Sequence, residues 1–216
     1  MTLIVGGDRS SSGKTTITLA LLAYLKRQHL SVQSFKVGPD YIDPMFHTYV
    51  TDRPCRNLDP MLTSETYVRE CFALHSQTAD FALIEGVMGL FDGIRPRTGV
   101  SPVTNISNFA STAHIALLLN LPVLLVIDCS KLSGSVAAIA QGFTTFEAGI
   151  KFAGLILNRV GSDRHLQLLT EAIAPLNLPI LGVLRRHQNI TIPDRHLGLV
   201  PTDEMPELNT LIDDLA

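Results

Sequence analysis

Residues 3–16 read LIVGGDRSSSGKTT, and this stretch decides the fold. The apolar run Leu3–Val5 predicts a buried strand, and the glycine- and serine-rich segment after it predicts a loop. The amphipathic segment from Ile17 to about His29 predicts a helix. Backbone N–H groups of a loop that wraps around a helix N-terminus form a concave anion site. The sequence therefore predicts a phosphate-binding loop.

The residues of this loop suit a nucleoside triphosphate. Lys14 adds a positive charge for the β- and γ-phosphates, and the Thr15 hydroxyl suits Mg²⁺. The pattern G-x-x-x-x-G-K-[ST] is not met strictly, because Asp8 stands five residues before Gly13 and the preceding glycine is Gly7. A chance Gly-Lys-Thr is the alternative. The expected ATP-binding residues of the loop are Ser10, Ser11, Ser12, Gly13, Lys14, Thr15 and Thr16.

Composition indicates a compact cytoplasmic protein. The 216 residues are 46% hydrophobic and 17% charged, which suits one α/β domain spanning 1–216. A net charge of −3 makes no electrostatic case for nucleic acid or a membrane surface. Three cysteines without C-x-x-C spacing indicate reduced thiols, and seven histidines without metal-ligand spacing indicate structural or surface residues. We expect no leader and no membrane span. The sequence leaves open whether the chain forms a homodimer.

Alternating strand and helix patterns predict the architecture. The order indicates a single doubly wound, mostly parallel α/β sheet with right-handed crossovers and helices on both faces. A polar segment at 53–60 is expected to be irregular. The predicted strands are 3–5, 32–37, 81–84, 123–127, 152–157 and 180–184. The predicted helices are 17–29, 64–77, 106–119, 133–148, 163–174 and 207–215.

Charged residues follow two of the predicted strands. Lys36 ends the second strand, and Asp40 and Asp43 are expected on the loop after it, where prolines stop regular structure. Glu85 and Asp92 belong to a glycine-rich loop after the third strand. Ligands bind at this edge of open α/β sheets, and clustered carboxylates need a cation such as Mg²⁺. A surface lysine at Lys36 and plain turns at Asp43 and Asp92 are the alternatives.

Four stretches together resemble one family: GGDRSSSGKTT, FKVGPDYIDP, CRNLDP and EGVMGLFDG. They are similar to the ATP-dependent synthetase domain of cobyrinic acid a,c-diamide synthase, a P-loop protein related to dethiobiotin synthetase. STAHIALLLNLPVLLVID, GLILNRV and RHLGLVP look like the continuation. The resemblance implies that ATP phosphorylates the a and c acetate carboxylates of a corrinoid, and that ammonia displaces the phosphate. The family's glutaminase domain is expected to be absent, so ammonia would come from a separate protein or a missing domain.

The resemblance and the residue positions together suggest roles. Mg²⁺ is expected on Thr15, Asp40 and Glu85, with Glu85 the strongest ligand. Asp43 and Asp92 are expected to position the acyl phosphate or to hold ammonia and take its proton. The expected catalytic residues are Lys14, Lys36, Asp40, Asp43, Glu85 and Asp92.

Two further groups have open alternatives. The resemblance implies that Asn158 reads the adenine edge, whereas helix capping is the alternative. Four arginines on the two irregular loops have two possible roles: they contact the corrinoid's carboxylates, or they provide ordinary solubilising charge. These are Arg53, Arg56, Arg95 and Arg97. For the whole chain, the rivals are an ATP-dependent ligase for another tetrapyrrole or a biotin precursor, and a non-catalytic regulatory nucleotide-binding module.

Overall fold

The computed structural model describes residues 1–94 and 108–186. Seven strands form one sheet in the order β3-β2-β4-β1-β5-β6-β7, and every neighbouring pair is parallel. The predicted α/β fold with a doubly wound sheet is therefore confirmed. The strands are β1 Thr2–Gly7, β2 Val32–Val37, β3 Arg56–Leu58, β4 Phe81–Glu85, β5 Val123–Asp128, β6 Phe152–Val160 and β7 Ile180–Arg185.

Helices cover both faces of the sheet. They are α1 Lys14–Arg27, α2 Ile42–Thr51, α3 Glu65–Ser76, α4 Thr112–Leu119, α5 Ser135–Phe146 and α6 Asp163–Ile173, with a 3₁₀ turn at Ala174–Leu176. On one face, α1 and α2 bury Leu19, Leu22 and Phe46 against the sheet. On the other, α3 to α6 bury residues such as Ile115 and Leu169. Strand β5, which lies between β1 and β6, is buried along its whole length, as expected for a parallel strand between two helical layers.

The structure corrects two local predictions. The segment expected to be a loop around Asp43 forms the start of α2, because Asp40 Oδ1 accepts the backbone N–H groups of Ile42 at 2.9 Å and Asp43 at 3.3 Å in the first turn. Pro44 fits there because the first turn of a helix needs no N–H donor at that position. The segment expected to be irregular after Pro54 contains β3, which pairs with β2.

Serine caps set the starts of α3, α4 and α6. Ser64 accepts the N–H of Tyr67 and begins α3 within one residue of the predicted helix. Ser111 accepts the N–H of His114, so α4 begins later than the predicted 106. Such a cap contributes about 1 kcal/mol to helix stability. The predicted helix at 207–215 lies outside the described residues.

The parallel sheet brings all strand ends of one kind to one edge. The loop after β1, the segment between β2 and α2, and the loop after β4 therefore meet at the carboxyl edge. Within residues 1–94 and 108–186, no helix combines the length and hydrophobicity needed to cross a bilayer.

Candidate active site

The loop between β1 and α1 is closely packed around two glycines. A Cβ on Gly7 would lie 2.3 Å from Ser12 Oγ and 3.0 Å from Lys14 Cγ, so a side chain there would displace both residues. Gly13 has φ 100°, and a Cβ there would lie 2.1 Å from Nδ2 of Asn158. A positive φ of this size favours glycine. Gly13 therefore requires glycine for this loop conformation, while Gly7 allows Ser12 and Lys14 to pack closely.

The end of α1 that faces this loop is an open anion site. Its N-cap, Gly13, makes no side-chain cap hydrogen bond; the same holds for α2 and α5, whereas α3, α4 and α6 are each capped by a serine. The first N–H groups of a helix have no acceptor within the helix and attract anions. Ser12 Oγ is buried and has no protein hydrogen-bond partner. These free donors fit the phosphates of a nucleotide.

Lys14 lies inside this loop. Its Nζ donates to the backbone oxygen of Arg9 at 3.1 Å, and the residue is only 7% exposed. Burial lowers the pKa of Lys14, and the negative charge of Glu85 partly opposes that shift. The ammonium is thus held inside the loop at the start of α1, and its contact with phosphate stays a prediction.

Glu85 is the centre of the buried polar network. It ends β4, is fully buried, and uses both carboxylate oxygens. Oε1 accepts from Thr15 Oγ1 at 2.6 Å and from Lys36 Nζ at 2.9 Å, while Oε2 lies 2.7 Å from Nε2 of His47. Burial would raise the pKa of Glu85, but the positive charge of Lys36 and the hydrogen bond from His47 hold it below its usual range. Glu85 is therefore an ionised carboxylate at neutral pH.

Lys36 connects the carboxylates of this network. Its Nζ lies 2.6 Å from Asp43 Oδ2, 3.2 Å from the backbone oxygen of Gly86 and 3.9 Å from Asp40 Oδ2. Lys36 is 3% exposed, so the surface-lysine alternative is wrong. Burial, and then the charge of Glu85, raise the pKa of Asp43 to about 6 although Lys36 lowers it. Asp43 therefore accepts a proton more readily than an ordinary aspartate.

Asp40 and Asp92 stand apart from the centre of the network. Asp40 Oδ1 accepts from the start of α2, and only its other oxygen faces Lys36. Asp92 is exposed, and its Oδ2 accepts the N–H of Gly89 at 2.9 Å, which closes a tight turn. This contact of Asp92 agrees with the alternative that Asp92 is a turn residue.

The expected Mg²⁺ ligands are only partly assembled. Thr15 and Glu85 are in direct contact, and Asp40 lies beside Lys36. In the part of the chain that the structure describes, no three His, Cys, Asp or Glu side chains are grouped to hold a metal. This donor set still suits Mg²⁺, because that ion is usually bound by one or two carboxylates together with substrate phosphates and water.

Asn158 braces the phosphate loop. Its Nδ2 donates to the backbone oxygen of Ser12 at 2.9 Å, and its Oδ1 accepts the N–H of Arg159. Asn158 lies within β6, and Ser162 caps the following helix, so the helix-capping alternative is wrong. Its predicted contact with adenine stays a prediction.

Sequence reasoning missed His47. Its ring is fully buried, with Nε2 against Glu85 and Nδ1 3.4 Å from Cys55 Sγ. Burial disfavours its cation, but the hydrogen bonds with Cys55 and Glu85 raise the pKa of His47 to about 9. The available signal was the spacing from Asp43, since residues i and i+4 share one face once the segment is helical.

The four arginines do not form one group. Arg53 donates to Ser31 Oγ at 2.6 Å and to Thr78 Oγ1 at 2.7 Å, and these residues precede β2 and β4. Arg53 therefore lies at the opposite, amino edge of the sheet, and its expected contact with a corrinoid is wrong. Arg56 is exposed at the start of β3. Arg95 and Arg97 lie outside the described residues.

Comparison with known proteins adds to this geometry. A profile of the CobQ/CobB/MinD/ParA nucleotide binding domain matches residues 3–200. The chain belongs to this family. Two solved structures share the fold at low sequence identity. Chloroplast FtsY from Physcomitrella patens is 18% identical, with a TM-score of 0.56 over 99% of this chain and 64% of that one. The septum site-determining protein MinD from Pyrococcus horikoshii OT3, complexed with Mg-ADP, is 16% identical, with a TM-score of 0.50 over 87% and 82%.

Curated members of the family are much more similar. The cobyrinate a,c-diamide synthase of Synechocystis sp. is 61% identical over 216 residues, which cover 100% of this chain and 43% of that protein. Its counterpart in Synechococcus sp. is 62% identical, with 45% of its length covered. The hydrogenobyrinate a,c-diamide synthase of Thermobifida fusca is 43% identical over 99% of this chain and 44% of its own. The chain spans less than half the length of these relatives.

Proposed function

We propose that this chain is the ATP-dependent synthetase part of a cobyrinate a,c-diamide synthase. ATP would phosphorylate the a and c acetate groups of cobyrinic acid, and ammonia would convert each acyl phosphate into an amide with release of phosphate. The observation that carries this proposal is 61–62% identity, over all 216 residues, to two proteins of that name. The matched span includes both the phosphate loop and the Lys36 network.

The first step needs charge neutralisation and not a general base. The substrate carboxylate is already ionised at neutral pH, so it attacks the γ-phosphorus itself while ADP leaves. Phosphoryl transfer of this kind depends mainly on positioning and on electrostatic stabilisation. Bound ATP supplies the phosphoryl group. Lys14 and the free N–H groups of α1 would hold its phosphates, and Lys36 would add a second positive charge from the facing strand.

Mg²⁺ would neutralise phosphate charge when bound with ATP. Thr15 and Glu85 already lie next to the phosphate loop, and both can face a cation there. Asp40 would be the third protein residue near that cation. Each of these roles rests on the position of the side chain at the carboxyl edge of the sheet.

The second step releases a proton. Attack by ammonia on the carbonyl carbon breaks the bond to the phosphate oxygen, and the new nitrogen must lose one proton to become an amide. Asp43 suits this role, since its pKa of about 6 lets it accept a proton near neutral pH. Asp92, which is exposed at the same edge, would help to hold the incoming ammonia.

A metal-free corrinoid is a second candidate substrate. Three relatives named hydrogenobyrinate a,c-diamide synthase are 42–45% identical to this chain. The 61–62% identity to two cobyrinate enzymes favours the cobalt-containing substrate, although two other cobyrinate enzymes are only 43–44% identical. Parallel assays with both corrinoids separate these two candidates.

The test is ATP-dependent amidation by the purified chain. It would be mixed with MgATP, ammonium chloride and either corrinoid, and phosphate release and added amides would be measured by a coupled assay and by mass spectrometry. We expect two amides and two phosphates per corrinoid with ammonia, and no turnover by a Lys14→Met variant. Nucleotide binding without corrinoid-dependent phosphate release would contradict the proposal and favour a regulatory module, whereas turnover of another acid would favour a related ligase.

A glutamine arm tests the ammonia source. We propose that this chain uses ammonia delivered by a separate glutaminase or by a further domain. Ammonium chloride should then support turnover while glutamine alone does not. Equal rates with both nitrogen sources would contradict this part of the proposal.

A further inference from the structure

The two carboxylate oxygens of Glu85 have different surroundings. Oε1 faces the phosphate loop, where it accepts from Thr15, and it also accepts from Lys36. Oε2 faces away from both and contacts His47 Nε2 at 2.7 Å. The orientation of the carboxylate therefore depends on which donors hold each oxygen.

The charge of Glu85 determines which ring nitrogen of His47 carries a proton. An ionised carboxylate only accepts hydrogen bonds, so Nε2 of His47 must carry the proton. On the other side of the ring, Nδ1 lies 3.4 Å from Cys55 Sγ. The backbone N–H of Cys55 donates to Thr48 Oγ1 at 3.0 Å, and Thr48 Oγ1 donates to the oxygen of Pro44 at 2.7 Å. The ring is thus fixed from both sides.

The two side chains that donate to Oε1 of Glu85, Lys36 and Thr15, also have other partners. Lys36 also contacts Asp43 and the oxygen of Gly86. Thr15 lies in the phosphate loop, so a bound nucleotide and its cation would compete for its hydroxyl. His47 is fully buried on α2 and faces Glu85 from the side opposite the loop. Its hydrogen bond is the one that nucleotide binding leaves in place.

We propose that His47 is a positioning residue, which holds Oε2 of Glu85 so that Oε1 stays directed at the phosphate loop. The role of Glu85 at a nucleotide-bound cation rests on the proposed function, whereas the contact between His47 and Glu85 does not depend on it. Groups that orient a ligand or catalytic carboxylate typically change metal affinity or activity by about 10- to 100-fold when removed. Loss of the Nε2 donor should therefore weaken cation-assisted nucleotide binding and turnover together.

Two variants of similar size separate the hydrogen bond from packing. His47→Gln places an amide N–H near the position of Nε2, while His47→Met fills similar space without a donor. One readout is the gain in ADP affinity on adding Mg²⁺, measured by calorimetry with and without the metal. The second is kcat for ammonia-dependent amidation per nucleotide-binding site. The affinity for ADP without Mg²⁺ reports whether the phosphate loop is intact.

The expected pattern is a 10- to 100-fold loss of the Mg²⁺-dependent gain and of kcat in His47→Met, with His47→Gln within a few-fold of the unmodified chain. ADP affinity without Mg²⁺ should be unchanged in both. Equal losses in both variants, or none in either, would overturn the inference. If His47→Met does not fold, His47→Asn replaces it, because its shorter amide reaches the Nδ1 position and not Glu85.

This design also separates the two proposals. Absence of corrinoid turnover in the unmodified chain would contradict the proposed function. The calorimetric comparison of the Gln and Met variants would still decide the role of His47, since it needs no corrinoid.

Discussion

Replacing Lys36 by methionine tests the buried network most directly. Methionine keeps the length and apolar part of the side chain but removes the ammonium that lies 2.6 Å from Asp43 and 2.9 Å from Glu85. Two buried carboxylates about 5 Å apart would then repel by about 3 kcal/mol at an effective dielectric constant near 20. Removal of one partner from a buried ion pair typically costs about 3–5 kcal/mol. We expect Lys36→Met to lower the free energy of unfolding by that amount at neutral pH.

The pH dependence of this loss has a definite sign. In the folded protein the pKa of Asp43 is already raised to about 6 from 3.8, and removal of Lys36 raises it further. A group with a raised folded pKa favours folding when protonated, so the variant should recover stability as the pH falls through that range. Lys36→Met should therefore lose less stability near pH 5 than near pH 7, unlike a variant that merely leaves a cavity.

Urea denaturation followed by circular dichroism measures both effects. The matched control is the double variant Lys36→Met with Asp43→Asn, which removes one of the two facing charges. We expect the double variant to regain at least half of the loss at neutral pH. A loss below about 1 kcal/mol for Lys36→Met, or no recovery in the double variant, would refute the electrostatic reasoning.

Three other changes test separate parts of the structure. Gly13→Ala should weaken ADP binding about tenfold or more by calorimetry, because φ is 100° and the new Cβ would lie 2.1 Å from Asn158; unchanged affinity would contradict the loop geometry. Arg53→Ala should lower the free energy of unfolding by about 1–3 kcal/mol while KM for the corrinoid stays constant, and the reverse pattern would place Arg53 at the substrate. In alkylation followed by mass spectrometry, Cys55 should react before Cys129, because burial raises the pKa of Cys129 to about 12; early labelling of Cys129 would contradict its burial.

The strand pattern was readable because short β-rich segments alternate with helical ones between glycine and proline breaks, and because β5 is a nearly continuous apolar run. Val32–Val37 is predicted with the observed bounds, and β5 differs by one residue. α2 was missed because Pro39 and Pro44 suggested a loop, although proline is tolerated in the first turn of a helix. The three-residue β3 was missed because its stability comes from pairing with β2 and not from its own composition.

Within the site, the sequence identified the residues but not their partners. Lys14 lies in the predicted loop, Lys36 and Glu85 lie at the ends of their predicted strands, and Asp92 closes the turn that was its stated alternative. His47 was missed because its segment was predicted to be a loop, and its spacing from Asp43 puts both residues on one face only when the segment is helical. Only the packing of α2 against the sheet brings it within 2.7 Å of Glu85.

By itself, the sequence determined the α/β class, the phosphate loop and the edge of the sheet at which the charged residues gather. These follow from local patterns, since side-chain periodicity and glycine placement act over a few residues. The tertiary structure alone decided which charges share a buried space: Lys36 with Asp43 and Glu85, and His47 behind Glu85. It also places Arg53 at the opposite, amino edge of the sheet. Such pairings depend on the strand order and on the path of α2, and electrostatic interactions become strong only where packing has excluded water.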